Sequence, residues 1–236
     1  MKKYSLTSNQ LKIIAIIAMV FDHFVAGFLP YENWAFGWLL RVPGRIAAPV
    51  MCYMIAEGYH HTSNCRKYVL RLALFAVLSH LPYNLYFGLG FFQGTSVIWA
   101  LTMGLVALAA VKSRAIPWFG KILALGACCL LAVIADWNYI AVLWIVGFGL
   151  FYGSFKKQML WFCAVGLVFY IGPTFEGVGE PGWAFQWFRL GIFLAIALLA
   201  FYHGERGRKS KAVTWFFYIF YPAHLVLLYL ARLILS

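Results

Sequence analysis

Residues 11–29 read LKIIAIIAMVFDHFVAGFL, an apolar run that Asp22 and His23 interrupt about two-thirds of the way along. A run of about 20 apolar residues is long enough to cross the hydrocarbon core of a bilayer as a helix. Placing an acidic side chain within such a helix costs roughly 2.5–3.5 kcal/mol on insertion scales. We therefore interpret the pair as a functional feature. The structural alternative is a hydrogen bond that holds two helices together.

The composition excludes an ordinary soluble domain. The chain has 236 residues, of which 64% are hydrophobic and 11% are charged, whereas a soluble domain is about 25% charged. These values predict an all-α, polytopic membrane protein forming one domain over residues 1–236. The formal net charge of +12 is typical of basic cytoplasmic loops, and no nucleic-acid-binding pattern accompanies it, so we expect no nucleic-acid partner. The first apolar run is too long for a signal peptide and is interpreted as an uncleaved helix.

Hydropathy divides the chain into nine predicted transmembrane helices joined by short loops, which favours a single bundle. Their approximate ranges are 9–29, 42–60, 67–87, 96–112, 117–135, 138–153, 157–173, 185–203 and 214–234. With the N-terminus inside, the outer ends of these helices hold only four of the 19 basic residues: Arg41, Arg45, Arg189 and Arg232. This asymmetry predicts a cytoplasmic N-terminus and an extracytoplasmic C-terminus.

Asp22 and His23 are the first candidate catalytic residues. A histidine beside a carboxylate suits general-base chemistry near neutral pH. Adjacent helical residues point about 100° apart, so Asp22 could instead orient Arg41 or Arg45. These two arginines are four residues apart and share one helical face, where they could hold an anion or steady Asp22. The alternative for the arginines is contact with headgroup phosphates.

Glu57, His60 and His61 form a second group at the inner end of the second predicted helix. Their spacing places them on one face, so a metal site is conceivable, but no second ligand cluster follows and we expect no metal. A role in proton transfer or anion handling beside Arg66 and Arg71 is the preferred interpretation. The alternative is a solvated helix end.

A third group is basic, and the positive-inside bias accounts for most of it. Some members could bind the phosphates of a nucleotide-bearing donor; the group comprises Arg66, Lys67, Arg71, Lys112, Arg114, Lys156, Arg206, Arg208 and Lys209. The sequence has no Walker loop, dinucleotide-binding glycine motif, serine elbow or HExxH motif. ATP hydrolysis, redox chemistry and zinc proteolysis are therefore unsupported. No two of the five cysteines lie in a predicted outer loop, so we predict no disulfide.

Three segments resemble the TraX family of membrane proteins, named for conjugative pilin acetylation. They are LKIIAIIAMVFDHF, the segment from GRIAAPVMCYMIAEGYHHTSNCRKYVL to LPYNL, and WFFYIFYPAHLVLLYL near the C-terminus. The resemblance covers about the first 85 residues and the last 20, and the phrases GRIAAP, AEGYHHT and YPAH make it specific. Between residues 90 and 210 the chain matches only in hydropathy.

This resemblance implies an integral membrane acyltransferase in the bacterial inner membrane. It would transfer acetyl from cytoplasmic acetyl-CoA to an amine or hydroxyl of a peptide or glycan acceptor, as an N- or O-acetyltransferase. The essential histidine of the family corresponds to His23, and its nearby arginine corresponds to Arg41 or Arg45. On this hypothesis His23 is the general base, Asp22 orients or charges it, and an arginine holds the oxyanion or an acidic acceptor.

The remaining candidates are assigned to the two substrates. The donor mouth would be bordered by Glu57, His60, His61, Arg66, Lys67 and Arg71, and the last helix would offer Tyr221 and His224 for substrate binding. Besides acetyl-CoA and the acceptor, membrane lipids are the expected partners. Two alternatives remain open: a proton-coupled transporter or exporter of a small polar solute or polymer precursor, and a non-catalytic assembly partner for a cell-surface polymer or conjugation machine.

Overall fold

The computed structural model describes residues 5–179, 182–207 and 210–235, and every regular element within them is a helix. Apart from helices, these residues form two isolated β-bridges, Leu6 with Tyr202 and Thr95 with Ala135. The α-helices are α1 (Ser8–Phe28), α2 (Ala47–His61), α3 (Cys65–Phe87), α4 (Val97–Lys112), α5 (Trp118–Leu131), α6 (Asn138–Leu150), α7 (Phe155–Val165), α8 (Leu194–Ala200) and α9 (Lys211–Leu235). The predicted all-α fold class is confirmed.

Three of these α-helices are extended by tighter or wider turns. The 3₁₀ segments Gly37–Arg41 and Pro43–Ile46 lead into α2, and the 3₁₀ segment Trp183–Phe193 leads into α8. Helix α7 continues through a π-helical stretch, Gly166–Ile171, and a 3₁₀ stretch, Gly172–Gly177. A short 3₁₀ turn, Tyr31–Asn33, follows α1. With these extensions, each predicted segment coincides with one helical segment of the described residues.

Five helices of the described residues are long and apolar enough to cross a membrane. They are Ser8–Phe28, Gly37–His61, Phe155–Gly177, Trp183–Ala200 and Lys211–Leu235. Helices α4, α5 and α6 are apolar but shorter, and α3 carries three basic residues at its start. The membrane character of the chain is therefore supported, whereas nine crossings and the orientation of the termini stay predictions.

Local sequence signals set the ends of the helices that carry the site. Helix α1 begins with a capping box, in which the Gln10 amide donates to Thr7 Oγ1 (3.3 Å) and the Thr7 amide donates to Gln10 Oε1 (2.8 Å). These bonds satisfy donors that an open helix end leaves unpaired. Helix α3 begins with Asn64, whose side chain accepts from the Lys67 amide at 2.8 Å, and ends at the left-handed Gly88.

The core lies around α6, which is buried over most of its length. Trp144 and Phe148 are fully buried there. Helix α6 packs closely against α4, because Gly104 lets the backbone approach Ile145; a side chain at Gly104 would overlap that residue. This tight pair of apolar helices gives the bundle a rigid centre.

Helix α1 packs beside the core against α2, α9 and the Pro43–Ile46 segment. Helix α9 also packs against α3, and it contains Pro222 within its length, as the sequence predicted. This arrangement places the buried Asp22 and His23 of α1 next to residues from the 3₁₀ segments that lead into α2 and from the middle of α9.

Candidate active site

Asp22 is the centre of a buried ion-pair cluster with both predicted arginines. Arg41 Nε donates to Asp22 Oδ1 at 2.6 Å, and Arg41 Nη2 donates to Oδ2 at 3.2 Å. Arg45 Nη2 also donates to Asp22 Oδ2. One carboxylate therefore binds two guanidinium groups, in an environment where Asp22 is only 4% exposed. Such charge-assisted bonds compensate the cost of burying the charges.

Aromatic rings surround the two arginines. The Phe188 ring lies 5.4 Å from the Arg41 guanidinium and 5.3 Å from that of Arg45. The Trp137 ring lies 5.4 Å from Arg45 on another side. Cation–π contacts of this kind stabilise a guanidinium that has left water. Arg45 Nε is buried and has no hydrogen-bond partner among the described residues, so one donor of the cluster remains available.

The ring of His23 is held by His224 of α9, which lies 201 positions later in the sequence. His23 Nδ1 and His224 Nε2 are 3.0 Å apart, and the rings stack with an interplanar angle of 13°. On its far side, His224 Nδ1 lies 3.1 Å from the carbonyl oxygen of Phe220. The Tyr86 hydroxyl donates to the His23 carbonyl at 2.6 Å and fixes the backbone.

These contacts assign the tautomers of two neutral rings. A carbonyl oxygen only accepts, so His224 Nδ1 must donate to Phe220. His224 Nε2 is then an acceptor, and His23 Nδ1 donates to it. The remaining nitrogen, His23 Nε2, carries a lone pair. The chain of hydrogen bonds thus leaves His23 ready to accept a proton at Nε2.

The geometry favours one of the two roles considered for Asp22. Its carboxylate is engaged by Arg41 and Arg45, while the hydrogen bond to the His23 ring comes from His224. Asp22 therefore orients the arginines, and His224 orients the histidine. Its negative charge still lies close enough to His23 to affect that ring electrostatically.

A small cavity of about 40 Å³ lies directly beside these residues. It is lined by Met19, Asp22, His23, Gly44, Arg45, Ala47, Ala48, Met51, Val97, Asp136, Trp137 and Tyr221. Because a water needs roughly 10–15 Å³ by this kind of measure, the cavity has room for a group of a few heavy atoms. His23 is therefore adjacent to internal space and is not sealed by packed side chains.

Asp136 places a second carboxyl group on the small cavity, and sequence reasoning did not identify it. It lies in the loop before α6, where its amide donates to the Thr95 carbonyl at 2.9 Å and the Thr95 amide donates to Ile134 at 3.0 Å. These bonds hold Asp136 beside the start of α4. Burial raises the pKa of Asp136 to about 6, although the positive charge of Arg45 opposes that rise.

A second, much larger cavity of about 620 Å³ extends from the basic end of the bundle, which we define by Lys12, Arg71 and Arg206. Exposed Arg71, Arg206 and His61 line it and mark its mouth, whereas buried Glu57 lies deeper. The volume lies in the range of small-molecule and cofactor sites. Positive charge at the mouth and an apolar interior suit a ligand with a phosphorylated head and a slender arm.

Four residues line both cavities: Met19, Met51, Val97 and Tyr221. From Lys12 to His23, α1 rises about 16 Å at 1.5 Å per residue. An extended arm of roughly 15–20 Å could therefore reach from the basic mouth to the small cavity.

The structure brings together some of the predicted donor-side residues and not others. Glu57, His61 and Arg71 line the large cavity, and His61 Nε2 lies 3.4 Å from Glu57 Oε2. The remaining three lie outside its lining: His60 pairs with the Gly149 carbonyl and Tyr152, and Arg66 and Lys67 are exposed on α3. Two members of the basic group, Arg208 and Lys209, lie outside the described residues.

Several residues of the site were not identified from the sequence. Lys12 lines the large cavity although it lies early in α1, where it counted only toward the charge asymmetry. Tyr202 donates to Glu57 Oε2 at 3.3 Å. Neither Lys12 nor Tyr202 lies in a recognisable motif. For Asp136, the one signal in the sequence is an acidic residue beside a predicted outer helix end. No group of three or more His, Cys, Asp or Glu residues among those described could hold a metal ion.

Fold and site together define a helical protein with membrane-spanning character, a buried histidine pair, a buried charged cluster, and two cavities that share four lining residues. The chain belongs to the TraX family, described as TraX protein, whose family model matches residues 7–232. It is 32% identical over 239 residues to a "Probable fimbrial assembly protein FimC, serogroup H1" of Dichelobacter nodosus, a match that covers 96% of each chain. No solved structure matches the chain.

Proposed function

We propose that this protein is an integral membrane acetyltransferase that uses acetyl-CoA as donor and acts in the bacterial inner membrane, with its basic end cytoplasmic. The observation that carries this proposal is the set of four residues that line both the large cavity and the small cavity beside His23. The larger cavity has a basic mouth suited to a phosphorylated donor. The smaller one contains a histidine with a free lone pair, which is the group that acyl transfer to an amine or hydroxyl needs.

The donor would occupy the large cavity. Arg71, Arg206 and Lys12 would bind its phosphates, since guanidinium and ammonium groups bind phosphate through charge-assisted hydrogen bonds. The arm would follow the apolar interior towards Met19 and Met51. The thioester would then arrive where the two cavities meet.

The acceptor would enter the small cavity from the opposite end of the bundle. Its attacking nitrogen or oxygen loses a proton to His23 Nε2 while it bonds to the thioester carbon. His224 keeps the ring in the reactive tautomer, and Asp22 keeps Arg45 in place. Collapse of the intermediate breaks the carbon–sulfur bond, and the leaving thiolate takes the proton from His23 as free CoA.

The acceptor class follows from the relative's name only as a proposal. A fimbrial assembly protein would act on a fimbrial subunit, so we propose a peptide N-terminal amine as the first acceptor to test. A glycan hydroxyl is the second. Asp136, on the wall of the small cavity, suits an incoming ammonium because its carboxylate can pair with that charge before the amine is deprotonated.

The test uses the full chain purified in detergent or nanodiscs with acetyl-labelled CoA. Acceptors are a peptide with a free N-terminus, the same peptide with a blocked N-terminus, and an oligosaccharide. Alkali releases label from an O-acetyl ester but not from an N-acetyl amide. Transfer should fall at least about 10²-fold in His23→Gln, with CoA binding retained, and should be unchanged in His203→Gln, which alters an exposed histidine.

Two results would overturn the proposal. One is full transfer by His23→Gln, which would exclude the assigned base. The other is the absence of CoA binding and of transfer in the unaltered protein, combined with substrate flux in liposomes that depends on His23. That combination would favour a proton-coupled transporter.

A further inference from the structure

We infer that the Tyr221 hydroxyl and the backbone amide of Val97 together form an oxyanion hole for the thioester carbonyl. The inference rests on the proposed acyl transfer and names the groups that would bind the negative charge that develops during it. Preorganised donors of this kind are among the largest contributors to catalysis of acyl transfer.

The proposed oxyanion hole lies among the residues that line both cavities. Four residues line both cavities, and of these Met19 and Met51 offer only apolar side chains. Tyr221 contributes a hydroxyl, and Val97 contributes a backbone amide. A thioester that passes from the large cavity to the His23 side would therefore pass the residues that carry these two polar groups.

The Tyr221 hydroxyl is buried and unpaired among the described residues. The residue is only 6% exposed, and its oxygen has no hydrogen-bond partner among the described residues. A buried polar group without a partner costs free energy and is uncommon in native structures. The side chain lines both cavities and its ring contacts His224 with centroids 5.3 Å apart, so this side chain lies beside the histidine pair.

The start of α4 supplies the second donor, the Val97 amide. Val97 is the first residue of a 16-residue helix, and such a residue's amide has no partner within the helix. Ser96, at the N-cap, makes no side-chain capping bond, and its own buried hydroxyl has no hydrogen-bond partner within the described part of the chain. The Val97 amide lies near the Tyr221 hydroxyl, and no hydrogen bond of normal geometry joins them. Helix N-termini favour negative charge.

The arginine cluster does not supply this function as directly. Arg45 is bonded to Asp22 and lines only the small cavity, and Arg41 lines neither cavity. The donor carbonyl reaches the shared residues first. Arg45 is better placed to act on the acceptor side.

The acceptor's lone pair forms a bond to the thioester carbon, and the carbon–oxygen π pair moves onto oxygen. His23 Nε2 takes the acceptor's proton. Tyr221 and Val97 donate hydrogen bonds to the oxyanion, which then re-forms the carbonyl as the carbon–sulfur bond breaks. The thiolate takes the proton from His23, so the products are the acetylated acceptor and CoA.

Tyr221→Phe removes the hydroxyl and keeps the ring. We expect kcat to fall about 10²–10³-fold, while KM for acetyl-CoA and the affinity for CoA stay within about twofold. Infrared spectra of acetyl-CoA labelled at the carbonyl carbon give a second readout. The bound carbonyl stretch should move to lower frequency in the unaltered protein and return towards its solution value in the variant.

The Val97 amide can be removed with little disturbance of the helix. Proline is tolerated at the first helical position, where its missing N–H breaks no helical bond. Ser96 already has φ −66° and ψ 158°, a conformation that a following proline favours. Val97→Pro should lower kcat at least about tenfold. Trp118→Pro is the matched control: Trp118 is the first residue of α5, the residue before it has φ −66° and ψ 160°, and it lines neither cavity, so this variant should stay near the unaltered rate.

The outcomes separate this inference from the proposed function. If the unaltered protein transfers acetyl, His23→Gln does not, and Tyr221→Phe and Val97→Pro both keep full kcat, the oxyanion hole is wrong and the acetyltransferase stands. If Trp118→Pro loses as much rate as Val97→Pro, the loss comes from proline at a helix start and not from the Val97 amide, and that half of the inference is overturned. If the unaltered protein neither binds CoA nor transfers acetyl, the proposed function fails, and this inference fails with it.

Discussion

His23 and His224 lie on the first and last helices of the bundle, and their facing nitrogens are 3.0 Å apart. Because the carbonyl of Phe220 fixes the proton on the far side of His224, this contact determines which nitrogen of His23 is basic. A histidine thus takes the place that a carboxylate occupies in a serine protease triad, where it orients the base and selects its tautomer. The carboxylate next to His23 in sequence instead holds two arginines.

This contact predicts unequal effects for two substitutions of His224. Glutamine can accept a hydrogen bond from His23 Nδ1, whereas leucine cannot. We expect kcat to fall about 10²-fold in His224→Leu and clearly less in His224→Gln, measured as acetyl transfer across the pH range. The pH at which kcat/KM reaches its alkaline plateau should change less in His224→Gln than in His224→Leu, relative to the unaltered protein. Equal rates in the unaltered protein, His224→Gln and His224→Leu would show that His224 has no role in the mechanism. His203→Gln serves as the control.

The helices could be predicted from the sequence because their apolar lengths are set by the bilayer and do not depend on neighbours. Their packing partners could not. Helix α6 is apolar all round, so its sequence carries no information on which face meets α4. The pairing of His23 with His224 joins residues 201 positions apart, and both were candidates only as members of separate motifs. Asp22 had two possible partners on sequence grounds, and only packing decided between them.

Gly44 is predicted to be necessary for the charged cluster. A Cβ at this position would overlap the Asp22 side chain, so Gly44→Ala must displace Asp22 from Arg41 and Arg45. We expect a loss of about 1–3 kcal/mol in the free energy of unfolding, as for other overpacked sites, together with loss of transfer. The measurement is thermal unfolding in detergent.

Gly126→Ala is the matched control for that substitution. Gly126 lies within α5, and apart from its own helix no described residue has an atom within 4 Å of a Cβ built there. Alanine should leave stability unchanged or raise it by up to about 1 kcal/mol through its higher helix propensity. If the two alanine variants unfold at the same temperature, the close approach of Gly44 to Asp22 is not important for stability.

Asp136 predicts a pH dependence of stability. Burial raises the pKa of its carboxyl in the folded protein to about 6, above the value of about 3.9 for an unfolded chain. The folded state therefore binds the proton more tightly, and folding should lose up to about 3 kcal/mol as the pH rises from about 4 to 6. Asp136→Asn should remove this component.

The test compares melting curves of the unaltered protein and Asp136→Asn between pH 4.5 and 7.5. The variant should gain stability relative to the unaltered protein as the pH rises, and the difference should level off above pH 6. Glu176→Gln, which alters an exposed carboxylate, is the control for a general effect of charge. A constant difference across this range would contradict the assignment of the titration to Asp136.

Arg71 and Arg66 give a matched pair for the donor cavity. Both are exposed on α3, but only Arg71 lines the large cavity. If Arg71 binds a donor phosphate, Arg71→Ala should weaken CoA binding about 10–100-fold, since hydrogen bonds to charged groups contribute about 1.5–3 kcal/mol. Arg66→Ala should change it by less than about threefold. The same variants should be indistinguishable with an acetylated pantetheine donor that lacks the nucleotide, because that donor has no phosphate to lose. A loss of equal size with both donors would show that Arg71 acts on the shape of the cavity and not on phosphate.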